Sequence, residues 1–122
     1  MLDFTGINCV NCRKMEGQVW SDPAVMKKLK EEFVIASLYV DVQHIDLAEN
    51  EQYFSNALQK KMETIGDRNM DIQVTKFHAN SQPYYFFLDN NEKNLAEEGY
   101  GYDPDVKKFL QHLDKVIENY KK

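Results

Sequence analysis

Cysteine is scarce in this chain, with two in 122 residues, Cys9 and Cys12. No other thiol is available to pair with them, so any thiol chemistry must happen there. Basic residues are outnumbered, 15 Lys and Arg against 20 Asp and Glu, for a formal charge of −5. They are also spread along the chain. Phosphate binding needs a gathered basic surface, so nucleic acid is not an expected partner. No apolar run approaches the ~20 residues of a membrane span. There is no second C-x-x-C and no paired-histidine motif, and His44, His78 and His112 are scattered. A closed zinc site wants four ligands, and this spacing does not supply them. Repeats, low-complexity tracts and interior linkers are absent too. The length suits one domain, 1–122, with one core.

What is present is Cys9-Val10-Asn11-Cys12, just after the apolar run Met1-Leu2-Asp3-Phe4. A C-x-x-C that ends a strand and opens a helix has the geometry of a dithiol/disulfide centre. Free N–H groups at the helix start favour a thiolate at the first cysteine. Cys9 is therefore the candidate nucleophile, and Cys12, one turn on, the resolving thiol. A purely structural bridge over so short a loop would contribute little, about 2 kcal/mol or less. The rival from another class is a soft Cu(I) site built from the two thiols and Met15.

Two carboxylates belong with the cysteines. Asp3 alternates with Leu2 and Phe4, so a central strand would bury it beneath the helix. A buried carboxyl has a raised pKa and can take a proton near neutrality. Glu16 follows Cys12 by four and shares its helix face. It would disfavour a thiolate at Cys9, while Arg13 and Lys14 would act in the opposite sense.

Along the chain, Leu2–Phe4 reads as a strand and Cys9 to about Trp20 as a helix. Asp22 and Pro23 form an N-cap and first-position pair that opens the next helix. Phe33–Val42, β-branched and uncharged to Val40, reads as a buried central strand. Leu47, Phe54, Leu58, Met62 and Ile65 recur at steps of seven, four, four and three. They predict a helix closed by Gly66-Asp67. Asp71–Phe77 reads as a further short helix. Tyr84–Leu88, the turn Asp89–Glu92 and Leu95–Tyr100 predict a hairpin. Asp103-Pro104 repeats the start signal. The last helix carries Val106, Phe109, Leu110, Leu113, Val116, Ile117 and Tyr120 on one face. The expected class is α/β, with a mixed central sheet and helices on both faces.

That order, with C-x-x-C after the first strand and Pro83 before the third, resembles the thioredoxin fold. Three stretches narrow the likeness: Leu2-Asp3-Phe4; Cys9 to Glu16; and Val19-Trp20-Ser21-Asp22-Pro23. Together they are similar to the C-terminal periplasmic domain of the thiol:disulfide interchange protein DsbD. Ala79-Asn80-Ser81-Gln82-Pro83-Tyr84-Tyr85 looks like its Bacteroides-type variant. The resemblance implies a protein-disulfide reductase with no metal or organic cofactor beyond the redox-active Cys9–Cys12 disulfide. It would receive electrons from a membrane-embedded domain. It would pass them to protein disulfides, in a cognate domain of the same longer protein, that serve disulfide isomerisation and cytochrome c maturation.

The resemblance also places the chain, as a soluble monomeric part of a membrane-anchored protein, on the periplasmic face. The chain opens almost directly on its first strand, and we expect a domain excised from that longer protein. By the same resemblance Asp3 becomes the base for Cys12, and Glu16 occupies an acidic position of the family. Pro83 becomes a cis proline facing the dithiol, with Gln82 offering backbone groups to a partner. Asn8, Val10 and Asn11 complete the expected partner-binding set. Asn8 stands where thioredoxins usually carry Trp. The segment of about 47–77 looks like a helical insertion. Gly99 or Gly101 is expected to line the partner groove, and Tyr84, Tyr85, Tyr100 and Tyr102 are candidates for an aromatic rim. An isomerase or oxidase on the same fold, or a non-catalytic metal or docking module, are the alternatives.

Overall fold

The computed structural model describes residues Met1–Lys122. Its main sheet has three strands, with β1 (Leu2–Thr5) in the middle. On one side β1 pairs in parallel with β2 (Ala36–Tyr39), Asp3 opposite Ser37. On the other it pairs antiparallel with the strand Tyr84–Phe86, Asp3 opposite Tyr85. A small separate hairpin, Tyr53–Ser55 with Lys60–Met62, lies between them in sequence. In chain order these strands are β3 (Tyr53–Ser55), β4 (Lys60–Met62) and β5 (Tyr84–Phe86), so the sheet order is β2-β1-β5.

Period-two alternation sorts the residues of β1 and β5 between two helical layers. Tyr85 and Phe87 join Met15, Val19, Val25, Leu29, Phe109, Leu113 and Val116 in the main core. That layer holds α1 (Val10–Met15), which runs on as a π turn over Glu16–Trp20, with α2 (Pro23–Glu32) and the C-terminal helix Val106–Lys121. On the opposite face, Phe4 meets Phe77 and Phe86 edge-on at 5.6 and 5.9 Å. Phe77 ends α3 (Ile65–Phe77), which covers that side; the C-terminal helix is α4. The mixed sheet with helices on both faces is as expected.

The start of α2 follows its sequence signal. The Asp22 carboxylate accepts the N–H groups of Ala24 and Val25, and Pro23 occupies the first turn. Such a cap contributes about 1 kcal/mol. In α4, Phe109, Leu113 and Val116 are buried, each worth roughly 1.5–3 kcal/mol, whereas Tyr120 is exposed. Its N-cap is Asp105, two residues beyond the predicted one. Asp103 instead accepts the N–H of Asp105 and pairs with Lys108 at 2.7 Å.

Four further expectations are corrected. Phe33–Val42 is not a buried central strand. Only Ala36–Tyr39 pairs, at the sheet edge, and Val34 is 87% exposed. Its β-branched character, uncharged as far as Val40, imitates a doubly covered strand, but no neighbour lies on its outer side.

Leu47–Ile65 is not a helix. It is a 3-10 turn (Glu49–Glu51) followed by the β3–β4 hairpin. Leu47 and Met62 are buried while Phe54 is 59% exposed, so the apolar residues do not form one stripe. The Tyr53 and Ser55 hydroxyls both donate to the buried Asp71 carboxylate and pin the hairpin to α3.

Gly66-Asp67 does not close a helix but opens one. Thr64 caps α3 and Asp67 completes a reciprocal capping box. The segment 47–77 is thus a hairpin followed by a helix, and Asp71–Phe77 is the second half of that helix.

Leu95–Tyr100 runs antiparallel beside β5 without forming a regular strand. Tyr85 and Tyr100 exchange both backbone bonds at 2.9 Å, and Leu95 donates to Phe87. The polar turn at Asp89 forms as predicted, its carboxylate accepting from Asn91 and Lys93. No helix is long and apolar enough to cross a membrane.

Candidate active site

The C-terminal end of β1 delivers the chain to the two cysteines. Gly6, Ile7 and Asn8 turn it, and Cys9 becomes the N-cap of α1 with extended backbone (φ −84°, ψ 104°). Cys9 and Cys12 are joined in a disulfide, their Cα atoms 5.2 Å apart. The Cys12 N–H donates to Cys9 Sγ at 3.2 Å, so a helix-start amide addresses the outer sulfur as predicted. Cys9 is half-buried whereas Cys12 is 1% exposed. A partner thiol or disulfide therefore meets Cys9 first. Val10, Asn11 and Asn8 stand exposed around it.

Asp3 lies in the main-core layer, on the sheet face that α1 and its π turn cover. It is 2% exposed. Burial pushes its carboxyl up to about 6. The Ser37 hydroxyl, donating to Oδ2 at 3.0 Å, opposes that rise, Glu16 adds to it, and Arg13 offsets it. Tyr85, beside Asp3 across the strand pair, has its phenol pushed up by burial and by the Asp3 and Glu16 charges. Glu16 is partly exposed and pairs with Arg13 at 3.2 Å. The two predicted carboxylates thus act on the same small volume, one from the sheet and one from the helix.

Pro83 is buried and follows a cis peptide bond from Gln82. Continuing the β1–β5 register by one residue sets Pro83 opposite Thr5, at the strand end from which the cysteine loop departs. The proline and the disulfide therefore share one end of the sheet. The fully buried Gln73 of α3 holds this loop. Its Nε2 donates to the Ser81 carbonyl and its Oε1 accepts from Gln82 Nε2, both at 2.8 Å.

The tyrosines divide. Tyr85 and Tyr100 are core residues, Tyr84 stacks on Phe86, and only Tyr102 is exposed. Gly99 packs against the Tyr84 and Phe86 rings, where a Cβ has no room. Met15 is fully buried in the core, and the three histidines are scattered, His44 in a loop, His78 at the C-cap of α3 and His112 in α4. No three His, Cys, Asp or Glu side chains gather as a metal site.

The profile of the thioredoxin-like domain family matches residues 1–117. The chain belongs to that family. No curated protein matches it. In a thioredoxin-like domain, a Cys9–Cys12 disulfide at the start of a helix points to thiol–disulfide exchange as the chemistry.

Sequence reasoning missed Gln73, Asp41 and the reach of Arg13. Arg13 Nη2 donates to Thr5 Oγ1 at 3.0 Å and to the Gly6 carbonyl at 3.3 Å, tying α1 back to the end of β1. Asp41 accepts the Ile7 N–H at 2.8 Å and the Asn8 N–H at 3.1 Å. Burial would raise its pKa, but those two bonds and the Arg13 charge hold the carboxyl below its usual range. The available signal was its place two residues past β2, which the parallel register aligns with Ile7. Gln73 showed itself only as an amide among the apolar residues of a helix.

Proposed function

We propose that this thioredoxin-like domain is a protein-disulfide reductase of the DsbD C-terminal type. The observation that carries the reading is Asp3, buried with a carboxyl near 6 on the sheet face below the helix that bears the cysteines. A group of that kind exchanges protons with a thiol at neutral pH.

In the reduced protein the Cys9 thiolate attacks one sulfur of a partner disulfide. A mixed disulfide forms and the partner's other sulfur leaves as a thiolate. Asp3 takes the Cys12 proton, directly or through water. The Cys12 thiolate then attacks Cys9 Sγ, closes the Cys9–Cys12 bond and releases the partner's second thiolate. Two electrons pass to the partner, and external dithiol regenerates the domain. The exposed groups around Cys9 and the Gln82-Pro83 turn offer the partner an extended groove. The electron source in this reading is a membrane-embedded domain. The recipients are protein disulfides on the periplasmic side, in a cognate domain serving isomerisation and cytochrome c maturation. The resemblance of the Cys9–Glu16 and Ser21-Asp22-Pro23 stretches supports that assignment.

The test is the midpoint potential of Cys9–Cys12 in defined thiol/disulfide buffers. A value of about −270 to −220 mV is expected of an electron donor. A value near about −120 mV makes the domain an oxidant and overturns the reductase assignment.

A further inference from the structure

The loop that carries Cys9 is held from a neighbouring strand by one carboxylate. Asp41 lies just beyond β2 and spreads its two oxygens over successive amides, Oδ1 to Ile7 and Oδ2 to Asn8. Gly6 is buried against the same group. A Cβ there would lie 3.0 Å from Asp41 Oδ2 and 3.4 Å from Cys9 Cβ. The missing side chain thus lets the carboxylate and the Cys9 side chain approach one point from two sides. Cys9 closes the turn by donating its N–H to the Gly6 carbonyl at 3.4 Å.

Asp41 is itself fixed from behind. Val40 donates to Thr5, and the Val42 carbonyl accepts the N–H of Gly66 at the first turn of α3. Thr64 donates to Gln43 in the same segment.

We infer that Asp41 is a positioning residue of the redox centre: it sets the Cys9 loop through Ile7 and Asn8 and places a fixed negative charge beside the attacking sulfur. This deepens the disulfide-exchange reading and rests on it. The position part follows from the two amide bonds, since the residues they hold immediately precede Cys9. The charge part follows from Coulomb's law. A carboxylate beside a sulfur disfavours its thiolate, and a less stable thiolate makes the reduced pair a stronger reductant. The charges around the dithiol are Asp3 beneath, Glu16 on α1's extension, Arg13 between them and Asp41 across the loop. Arg13 has three carboxylates within its influence and its bond to Glu16, so it does not cancel Asp41 alone.

The experiment compares wild-type protein with Asp41→Asn and Asp41→Ala. Asn retains one acceptor and loses the charge; Ala loses both. Two quantities are read: the pH dependence of Cys9 alkylation in the reduced protein, and the equilibrium with glutathione. Asp41→Asn is expected to raise the Cys9 thiolate fraction at pH 7 by about three- to tenfold. The glutathione equilibrium should move toward the reduced protein. Asp41→Ala should do the same and also speed hydrogen exchange at the Ile7 and Asn8 amides.

If wild type cycles but neither quantity moves in a folded Asp41→Asn, the inference is overturned and the redox reading stands. If wild type cannot be cycled at all, the redox reading fails first. Should both variants unfold, exchange at Ile7 and Asn8 in wild type decides. Unprotected amides there would overturn the inference, and protected ones would uphold its positional half.

Discussion

Ser37 and Asp3 face each other across the parallel pair β2–β1, and the serine hydroxyl donates to Asp3 Oδ2 at 3.0 Å. Ser37 is exposed while Asp3 is buried, so the edge strand gives the buried carboxylate its hydrogen-bond donor. A donor to the ionised form lowers an acid's pKa. Ser37→Ala should therefore move the Asp3 titration above 6 by about half a unit to one unit. Carboxyl carbon shifts followed against pH in the oxidised protein would show it. A titration left at the wild-type position would mean that the bond is not made.

Asp3 also makes stability depend on pH with a definite sign. Its folded pKa, about 6, lies above the ordinary 3.8, so the folded state holds the proton more tightly than the unfolded one. This contribution is fully present below pH 4 and is lost as pH rises from about 4 through 6. The loss is on the order of 2–3 kcal/mol. Asp3→Asn should match wild type near pH 4 and exceed it by that amount at pH 7.5. Urea melts of both proteins at the two pH values test this; equal stability at pH 7.5 would contradict it.

The unequal exposure of the two sulfurs predicts which cysteine is captured. Reduced Cys12→Ser should accumulate a mixed disulfide with a small disulfide such as that of glutathione, because Cys9 is reachable and has lost its resolving thiol. Cys9→Ser should trap at least tenfold less, since Cys12 is 1% exposed. Mass spectrometry of the quenched adducts distinguishes them, and equal trapping would reverse the assignment of nucleophile.

Gln73 joins α3 to the loop before Pro83. Gln73→Leu keeps the bulk and leaves the Ser81 carbonyl and the Gln82 amide without their partner. The expected cost is about 1–3 kcal/mol of stability. In a disulfide-reduction assay, the proposed function expects KM to rise more than kcat falls, because the Gln82-Pro83 turn loosens while the cysteines stay in place. A fall in kcat at constant KM would place Gln73 with the chemistry instead.

Gly66 lies where α3 presses on the Asp41 segment, and an added Cβ would meet the backbone N and O of Val42 at 2.8 Å. Backbone cannot yield as a flexible side chain does. Gly66→Ala should cost about 2 kcal/mol or more, read as a lowered Tm. An unchanged Tm would show that this contact relaxes freely.

Much of this was legible locally. Asp22-Pro23, the stripe of α4, the polar turn at Asp89 and the alternation around Asp3 each depend on residues close in sequence. The hairpin at 53–62 was not. It reverses without glycine, Gln59 taking the left-handed conformation (φ 54°), so the usual punctuation is missing. Its apolar residues then fell by coincidence on helical spacing. The edge position of β2 was hidden for another reason, because a strand's own residues do not say how many neighbours it has. Cys9, Cys12, Asp3 and Glu16 fall within one short stretch of sequence, so their nearness to one another was readable. Asp41 acts across a parallel crossover, and only the register of β1 on β2 brings it to Ile7.

Four-residue β1 is the vernier on which all these alignments are read. Its odd and even positions point to different layers, so a slip of one residue would exchange the surroundings of Asp3 and Phe4. The carboxylate would then sit among Phe77 and Phe86, and the phenylalanine would lie under the cysteine helix. The same slip would carry Ile7 away from Asp41 and Thr5 away from Pro83. Mispairing of this strand would therefore cost both the core and the surroundings of the cysteines in a single step.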